Sequence, residues 1–422
     1  MSEWKEYKLG EYVDLISGFA FKSENFVEIK ANGCLPIIKI KNVANGDTNL
    51  DDVDYHQYDD SLYKFLLSKG DVLIAMTGNH PHAMTQVVGG VSKYRLEINA
   101  LLNQRVGKFV AKNNTDINFI YYLLKDDGVR TYLANKSSGS ASQANISKND
   151  ILGLKLHFPS LPTQHRIASI LSAYDDLIEN NNRRIALLEQ MAEQIYKEWF
   201  VRMRFPGYEN TEFEKGVPKG WEVKSIKDFG KVITGKTPST SNSGYFGGKY
   251  PFIKTPDMHG NIFVLQTEET LTDDGFNSQK SQALPANSIC VNCIGAGAGS
   301  VSITPSKCMT NQQIHTLKLE NQKEIEFLFF VFRGLKPMIE MVGSTGATMI
   351  NVSKGKFENL KLIKPSDNLI EDFSSKTKPI FLQIRNLMEQ QITLKQTRDL
   401  LLPRLISGKL QMKESEIKLE KI

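Results

Sequence analysis

The chain has 422 residues, of which 41% are hydrophobic and 23% charged, and its formal net charge is +5. This composition is typical of a soluble globular protein with two to four domains, and it excludes a chain that is disordered throughout. The mildly basic charge is compatible with a polyanionic partner, although many soluble proteins share it.

The cysteines and the N-terminus favour a cytoplasmic protein. Four cysteines, at positions 34, 290, 293 and 308, are too few to suggest a disulfide framework. The opening MSEWKEYKLGEY has no apolar signal core, and apolar runs such as residues 327–332 are too short to span a membrane. We therefore expect a soluble protein of the reducing cytoplasm.

The first 158 residues have the texture of a mixed domain. Short β-rich runs such as LPIIKIKNV and GDVLIAMTG are separated by glycine, asparagine and aspartate turns. The run INFIYYLLKDDGVRTYLA favours one or two helices. We predict an α+β domain over residues 1–158.

A long helix is predicted over residues 159–207. Its apolar positions alternate spacings of four and three over more than four heptads, which is typical of a coiled coil. The seam of this helix comprises Ile167, Leu171, Ile178, Asn181, Ile185, Leu188 and Ile195.

The second half of the chain repeats the first. Trp4 and Gly18 match Trp221 and Gly235, each 217 residues further on, and the pair Asn103-Gln104 matches Asn311-Gln312. The repeat predicts a second mixed domain over residues 208–364 and a second long helix within residues 365–422. The more polar seam of the second helix includes Ile380, Ile384, Leu387, Leu394 and Leu401.

Prolines and a glycine bear on the second helix. Because proline lacks an N–H, we expect Pro379 to kink this helix or to begin its main segment. We expect Pro403 and then Ser407-Gly408 to end it.

The repeat also predicts how the helices pair. The second helix can bury its seam only along the first, and connectivity then makes the pair antiparallel. We predict an α+β fold of two similar mixed domains, joined by two long antiparallel coiled-coil helices and related as a pseudo-two-fold internal repeat. The alternative is a pair of amphipathic helices packed into ordinary domain cores.

Sequence motifs for catalysis fail on their context. Residues 230–237 satisfy the P-loop pattern, but the interior of the match has a strand pattern and Pro238 follows it, so no helix can open towards a phosphate. Glycines 295, 297 and 299 link two β-like runs and do not form a dinucleotide fingerprint. Cys290 and Cys293 lie in a strand-like run without a second such pair, which favours buried thiols over a zinc site.

Loop side chains in both repeats are candidates for DNA contact. Asn and Gln pair with adenine, Arg and Lys pair with guanine, and hydroxyls bind phosphates. Structural turn amides and solvent-exposed loops are the alternatives for the same residues. The candidates are Lys39, Lys41, Thr77, Asn79, Asn103, Gln104, Arg105, Ser140, Ser142, Gln143, Lys254, Asn311, Gln312, Gln313, Ser344, Thr345, Thr348 and Lys354.

Two segments resemble conserved regions of the specificity subunits of type I restriction-modification systems. Residues 159–181 (PSLPTQHRIASILSAYDDLIENN) are similar to the central conserved region of that family, and residues 399–410 (DLLLPRLISGKL) are similar to its C-terminal counterpart. The endings LKLHFP and LKLIKP resemble the edges of its target-recognition domains. The resemblance covers essentially the whole chain.

The resemblance implies a non-catalytic subunit that reads DNA. Residues 1–158 and 208–364 would be target-recognition domains, each reading one half of a bipartite, asymmetric site. The conserved helices, within residues 159–207 and 365–422, would set the spacer and dock two methyltransferase subunits, which restriction and translocase subunits would then join. S-adenosylmethionine, ATP and Mg would belong to those partners, and this chain would hold no cofactor and no metal.

Other functions compete with this interpretation. A free-standing DNA-binding regulator would also lack catalysis, and isolation of the chain with or without methyltransferase partners would discriminate between the two. A self-contained nuclease or ATPase would depend on the P-loop match. A structural tether would show no salt-dependent DNA binding.

Overall fold

The computed structural model describes residues 4–27, 31–43, 47–78, 87–137, 144–295, 297–344 and 350–410. The chain divides into two compact units. Unit 1 comprises Met1–Ile178 and Thr393–Ile422, and unit 2 comprises Glu179–Ile392. Within these described ranges, no helix is both long enough and apolar enough to cross a membrane.

Unit 1 is built on a four-stranded antiparallel sheet in the order β2-β10-β6-β8, beside a second sheet in the order β4-β3-β9-β5. Its described strands are β1 (Lys5–Lys8), β2 (Val13–Ser17), β3 (Cys34–Ile38), β4 (Tyr55–Gln57), β5 (Leu66–Leu67), β6 (Val72–Ala75), β7 (Thr77–Gly78), β8 (Val91–Lys93), β9 (Ala100–Leu102), β10 (Val106–Ala111), β11 (Ala144–Asn145) and β12 (Lys155–Phe158). Its shorter α-helices are α1 (Leu9–Tyr12), α2 (Ile40–Val43), α3 (Ile117–Leu124), α4 (Asp127–Lys136) and α5 (Lys148–Leu152), with 3-10 turns at Ser23–Asn25 and Asp60–Phe65.

Helix α3 explains much of the core of unit 1. Asp116 caps it by accepting hydrogen bonds from the backbone N–H groups of Asn118 and Phe119 at 2.7 and 3.2 Å. The helix is apolar nearly all round, so it is buried rather than amphipathic. Phe119 and Tyr122 pack in the same core as strands β2, β6 and β10.

Unit 2 has the same central arrangement, with a four-stranded antiparallel sheet in the order β16-β22-β19-β20. Its described strands are β13 (Phe213–Glu214), β14 (Val217–Pro218), β15 (Glu222–Ser225), β16 (Gly230–Thr234), β17 (Phe246–Ile253), β18 (Glu269–Leu271), β19 (Ile289–Asn292), β20 (Val301–Ile303), β21 (Met309–Thr310), β22 (Ile314–Leu319) and β23 (Lys361–Lys364). Its shorter α-helices are α6 (Asp273–Ser278), α7 (Ile325–Gly334), α8 (Lys336–Gly343) and α9 (Lys354–Glu358), with 3-10 turns at Tyr208–Asn210, Ile226–Phe229, Ser243–Tyr245, Thr255–Met258, Lys280–Gln282 and Gln322–Glu324.

The internal repeat is present in the topology of the two units. The first strand of each four-stranded sheet, β2 or β16, pairs with the strand after the Asn-Gln turn, β10 or β22. In both units a parallel pair, β3 with β9 and β17 with β21, leads into that turn. An antiparallel pair at the domain edge, β1 with β12 and β15 with β23, completes the match. The predicted α+β class with two similar domains is confirmed.

Two long helices follow the two mixed domains. The first long helix is Leu161–Tyr196, continued by a π-helical turn at Lys197–Val201, and the second is Asp367–Ile406. The second helix begins at Asp367 and passes through Pro379, so the expectation that its main segment begins at Pro379 is wrong. Packing explains this, because Phe373 and Phe381 on either side of the proline are both held in the core of unit 2. The helix continues through Pro403 and ends at Ile406, so Pro403 does not end it, whereas Ser407 and Gly408, which has a φ of +68°, follow its end as expected.

The long helices pack antiparallel within each unit. In unit 2, Gln391 donates to the Asn182 side chain at 2.6 Å, while Ala192 shares a buried cluster with Phe381. From Asn182 to Ala192 the first helix advances ten residues, whereas from Gln391 to Phe381 the second goes back ten, so the two helices run antiparallel. In unit 1, the first long helix packs by Ile167 and Leu171 into the same core as the end of the second long helix.

Every predicted seam residue lies away from the exposed helix faces. Ile167, Leu171, Ile178, Asn181, Ile384 and Leu387 are buried, and Ile185, Leu188, Ile195, Ile380, Leu394 and Leu401 are half-buried. The seam is not wholly apolar, because it includes the buried polar side chain of Asn181, which is only 5% exposed.

The two units differ in chemistry at one pair of equivalent positions. In unit 1, the Tyr122 hydroxyl donates to the buried carboxylate of Asp175 at 2.7 Å. In unit 2, the positions equivalent in the repeat are Phe330 and Phe381, whose ring centroids lie 5.7 Å apart. A polar contact in one unit thus corresponds to an aromatic contact in the other.

Candidate nucleic-acid interface

The Asn-Gln turn of unit 1 connects β9 to β10. Asn103 N–H donates to the Ile38 carbonyl at 3.2 Å, and Val106 N–H donates back to the Asn103 carbonyl at 2.9 Å. The end of β2 passes beneath the turn, where Gly18 N–H donates to the Val106 carbonyl at 3.1 Å. Gln104 and Arg105 are exposed at the tip.

The corresponding turn of unit 2 connects β21 to β22 through the same hydrogen bonds. Asn311 N–H donates to Ile253 at 3.0 Å, Ile314 N–H donates to Asn311 at 3.2 Å, and Gly235 N–H donates to Ile314 at 3.1 Å. The two turns therefore have the same backbone hydrogen bonds, although most of the side chains around them differ.

A glycine makes each turn possible. A Cβ atom on Gly18 would lie 2.2 Å from the Asn103 carbonyl oxygen, and one on Gly235 would lie 2.1 Å from the Asn311 carbonyl oxygen. No side chain fits at such distances from backbone atoms. The repeated glycine of the sequence thus allows β2 or β16 to pass directly against the turn.

The tips of the two turns carry different polar groups. In unit 1, the Arg105 guanidinium Nη1 lies 3.4 Å from the Asn145 side-chain oxygen, which also accepts from the Thr77 hydroxyl at 2.8 Å. Thr77 itself is 3% exposed, so its hydroxyl is not available at the surface.

In unit 2, the Gln313 oxygen accepts from the Asn311 amide at 3.1 Å and from the Thr255 hydroxyl at 3.3 Å. The Gln312 oxygen accepts from the Thr237 hydroxyl at 2.8 Å. Amides thus occupy the tip in unit 2, where unit 1 carries a cation.

The predicted lysines are all in ion pairs. Lys39 pairs with Asp54 and Lys41 with Asp52, and in unit 2 Lys254 pairs with Glu269 at 2.6 Å and Lys354 with Glu358 at 3.2 Å. Pairs at a surface contribute only about 0–1 kcal/mol, so a phosphate could compete with these carboxylates. Contact of these lysines with DNA stays a prediction.

Several candidates lie outside the described residues. Ser344 is described and donates its hydroxyl to the Glu340 carbonyl at 2.6 Å, at the end of α8. The candidates outside the described ranges are Asn79, Ser140, Ser142, Gln143, Thr345 and Thr348.

Two residues beside the turns were not predicted. Asn145 belongs to the repeated segment of the sequence, so its match to Asn351, 206 residues further on, was the available signal. Lys236 is exposed, and its backbone N–H donates to the Thr310 carbonyl at 2.9 Å, beside the turn of unit 2. In the sequence, Lys236 is the lysine of the P-loop pattern at residues 230–237.

The interior of the P-loop match lies in a strand, as its pattern indicated. Residues Gly230–Thr234 form β16, and a Cβ on Gly230 would lie 2.1 Å from the Lys318 carbonyl oxygen of the paired strand. The glycine is therefore used for strand packing and does not form a phosphate-binding loop.

The four cysteines are buried, which for Cys290 and Cys293 agrees with the expectation of buried thiols. Cys290 and Cys308 belong to one buried cluster. Cys293 belongs to a different cluster, which also contains Ala192 and Phe373 of the long helices. Burial raises the pKa of the Cys290 and Cys293 thiols to about 12. In the described part of the chain, no three His, Cys, Asp or Glu side chains are grouped as a metal site would require.

Comparison with known families gives a match over most of the chain. Residues 1–190 and 218–373 each match the family described as the type I restriction modification DNA specificity domain. Both mixed domains are thus covered by one family, which agrees with the internal repeat.

Relatives and a solved structure agree with that match. The type I restriction enzyme HindI specificity subunit of Haemophilus influenzae is 30% identical over 97% of this chain and 100% of its own length. The MjaIX specificity subunit of Methanocaldococcus jannaschii is 28% identical over 74% of this chain and 73% of its length. The crystal structure of a type I S subunit from M. genitalium has the same fold, with a TM-score of 0.63 at 16% identity over 97% of both chains.

Proposed function

We infer that this chain, which belongs to the family of type I restriction-modification DNA specificity subunits, selects the DNA site on which its complex acts. Specificity subunits of these systems are non-catalytic, bind DNA and assemble with other subunits of the system. The relatives give no support to a free-standing regulator.

We propose that each mixed domain reads one half of a bipartite, asymmetric DNA site. The observation that carries this is the pair of Asn-Gln turns, which share one backbone hydrogen-bond pattern but present different side chains at the tip. A common scaffold with unlike tips is suited to placing two readers in equivalent positions while each reads its own sequence. The asymmetry of the site would follow from Arg105 in one tip and Gln313 in the other.

The long helices are the proposed docking surface for two methyltransferase subunits. Large apolar side chains remain exposed on them, which is a property of interaction surfaces. In unit 1 these are Leu177 and Leu400, which are 50% and 64% exposed, and in unit 2 they include Leu187 and Met191, at 60% and 55%. Restriction and translocase subunits would join through the methyltransferases, and S-adenosylmethionine, ATP and Mg would be bound by those partners.

The direct test is a domain replacement. Residues 1–158 are replaced by the equivalent domain of a relative, the variant is expressed with its methyltransferase subunits, and the modified sites are read by methylome sequencing. We expect one half of the site to change while the other half is retained. A change in both halves together would contradict the division of recognition between domains.

The proposed role of the helices in setting the spacer has its own test. Four residues are inserted after Asn182 and four after Gln390, so that the contact between Asn182 and Gln391 is kept. Each insertion lengthens its helix by about 6 Å, which corresponds to roughly one or two base pairs. We expect a spacer longer by that amount with both half-sites unchanged, measured by methylation of substrates that differ only in spacer length. An active variant that keeps the original spacer would contradict this role.

A further inference from the structure

Arg105 differs from every other cation among the predicted DNA-contacting residues. It is exposed at the tip of the turn of unit 1, and its one side-chain partner in the described part of the chain is the Asn145 oxygen. Lys39, Lys41 and, in unit 2, Lys254 each have a carboxylate within ion-pair distance. A ligand that binds Arg105 therefore does not have to displace an acidic side chain.

The surroundings of Arg105 restrict its position. Its carbonyl accepts from Met76 N–H at 3.0 Å, which fixes the backbone of the turn. Asn145 is in turn anchored in β11, which pairs with β7 in the register Asn145 to Thr77. Because its oxygen already accepts from the Thr77 hydroxyl, the Asn145 amide is oriented before it meets the guanidinium. Asn145 is thus placed to restrict the motion of a long, otherwise mobile side chain.

The equivalent residue of unit 2 has a different set of hydrogen-bonding groups. Gln313 occupies the same position in the repeat, and its carbonyl likewise accepts from the residue equivalent to Met76, Cys293, at 2.9 Å. An amide offers one donor and one acceptor edge, which matches adenine, whereas a guanidinium offers only donors, which match the N7 and O6 acceptors of guanine. The two turns are therefore equivalent in backbone and different in the base that they suit.

We propose that Arg105 reads a guanine in the half-site of unit 1 by donating two parallel hydrogen bonds to its N7 and O6 atoms, and that Asn145 is the positioning residue for this contact. The proposal rests on the proposed function, because it assigns a base to a domain already taken to read DNA. The planar, permanently charged guanidinium supplies both donors in one fixed geometry, which lysine cannot reproduce.

The test uses the full chain in complex with its methyltransferase subunits. Methylome sequencing defines the site, and the replacement of residues 1–158 assigns one half of it to unit 1. Binding and methylation are then measured on substrates in which each guanine of that half-site is replaced in turn. The variants are Arg105→Ala, Arg105→Lys, Arg105→Gln and Asn145→Ala, with Lys5→Ala as the control for loss of one exposed positive charge.

We expect Arg105→Ala to lose roughly 5- to 150-fold of discrimination at a single guanine, and to leave the other positions unchanged. Arg105→Lys should restore discrimination only in part, and Asn145→Ala should weaken it at that same guanine. Arg105→Gln copies the residue that the turn of unit 2 carries naturally, so it should fold, and it should shift the preference at that position towards adenine. Lys5→Ala should leave discrimination unchanged.

Several outcomes would overturn the assignment. A half-site of unit 1 without guanine would exclude it at once. Equal weakening on all substrates, with a shallower dependence on salt, would identify a phosphate contact instead. A wild-type complex with no sequence preference in either half would be different, because it would refute the proposed function itself.

Discussion

The guanidinium of Arg398 donates to the carboxylate of Asp175 at 2.7 Å, although 223 residues separate them in the chain. Both side chains belong to unit 1, where they are 15% and 6% exposed. Arg95 approaches the same carboxylate at 3.3 Å, and the Tyr122 hydroxyl donates to it. One buried carboxylate thus joins the recognition domain to the second long helix within this unit.

Loss of the Asp175 charge should destabilise the protein strongly. Asp175→Asn would leave Arg398 and Arg95 without their shared buried partner. Because Arg398 keeps Asp399 and Arg95 keeps two exposed aspartates, the cost of about 3–5 kcal/mol for removing one member of a buried ion pair is an upper limit. We expect a lower urea midpoint for the transition that unfolds unit 1, measured by circular dichroism or tryptophan fluorescence.

The neighbouring aspartate provides the matched control. Asp176 also pairs with Arg95, at 3.1 Å, but is 69% exposed. Asp176→Asn should change the free energy of unfolding by no more than about 1 kcal/mol. Equal effects of the two substitutions would show that burial of Asp175 has no energetic importance.

The contribution of Asp175 should depend on pH. Burial raises the pKa of this carboxyl, but Lys125, Arg398 and Tyr122 more than offset that effect, so its pKa in the folded protein lies below the ordinary value of 3.8. A lowered pKa gives stability that is present above the unfolded value and is lost as the pH falls through the folded one. The difference in unfolding free energy between wild type and Asp175→Asn should stay constant above the ordinary carboxyl pKa and shrink below it. A difference that grew in acid would contradict this sign.

The glycines beneath the turns should each control one half of the site. Gly18→Ala or Gly235→Ala would force a Cβ into the carbonyl of the adjacent turn, with a cost of about 1–3 kcal/mol for overpacking. We expect each substitution to weaken discrimination in one half-site only, measured on substrates altered in either half. Gly355 in α9 is the control, since a Cβ there would meet nothing within 4 Å. Gly355→Ala should leave recognition intact, and an effect of Gly18→Ala on both halves would refute the assignment.

The buried thiols should be inert in the folded protein. With pKa values of about 12, Cys290 and Cys293 have almost no thiolate at pH 8. We expect neither to react with Ellman's reagent under native conditions, and all four cysteines to react in urea. Rapid labelling of Cys290 in the native state, located by mass spectrometry, would show that its strand opens readily.

The periodic features of the chain were predictable from sequence because they depend on local spacing. The helix seam follows from the heptad pattern, and the glycines at 18 and 235 follow from the repeat. Partners distant in the chain were not predictable. Arg398 falls at a polar position of the second helix seam, but nothing near it in sequence indicates Asp175 as its partner.

The candidate DNA interface shows the same limit. Arg105 was identified from its residue type and its place in the repeat, whereas the role of Asn145 depends on the pairing of two short strands, β7 and β11. Pro379 illustrates the opposite case, because the local rule allowed the main segment to begin there and the helix in fact begins at Asp367. The core contacts of Phe373 and Phe381 keep the helix continuous through the proline.

The aromatic counterpart of the contact between Tyr122 and Asp175 restricts which domains can replace the first one. In unit 2 the residues equivalent to Asp175 and Arg398 are Phe381 and Ala192, so the two recognition domains meet the long helices through incompatible chemistry. A replacement for the first domain needs hydrogen-bond donors at the positions of Tyr122 and Arg95. Without them, the buried Asp175 carboxylate loses two of its partners. A copy of the second domain placed first would bring phenylalanine to a buried carboxylate. We therefore expect the first domain to be replaceable only by one that carries hydrogen-bond donors at these two positions.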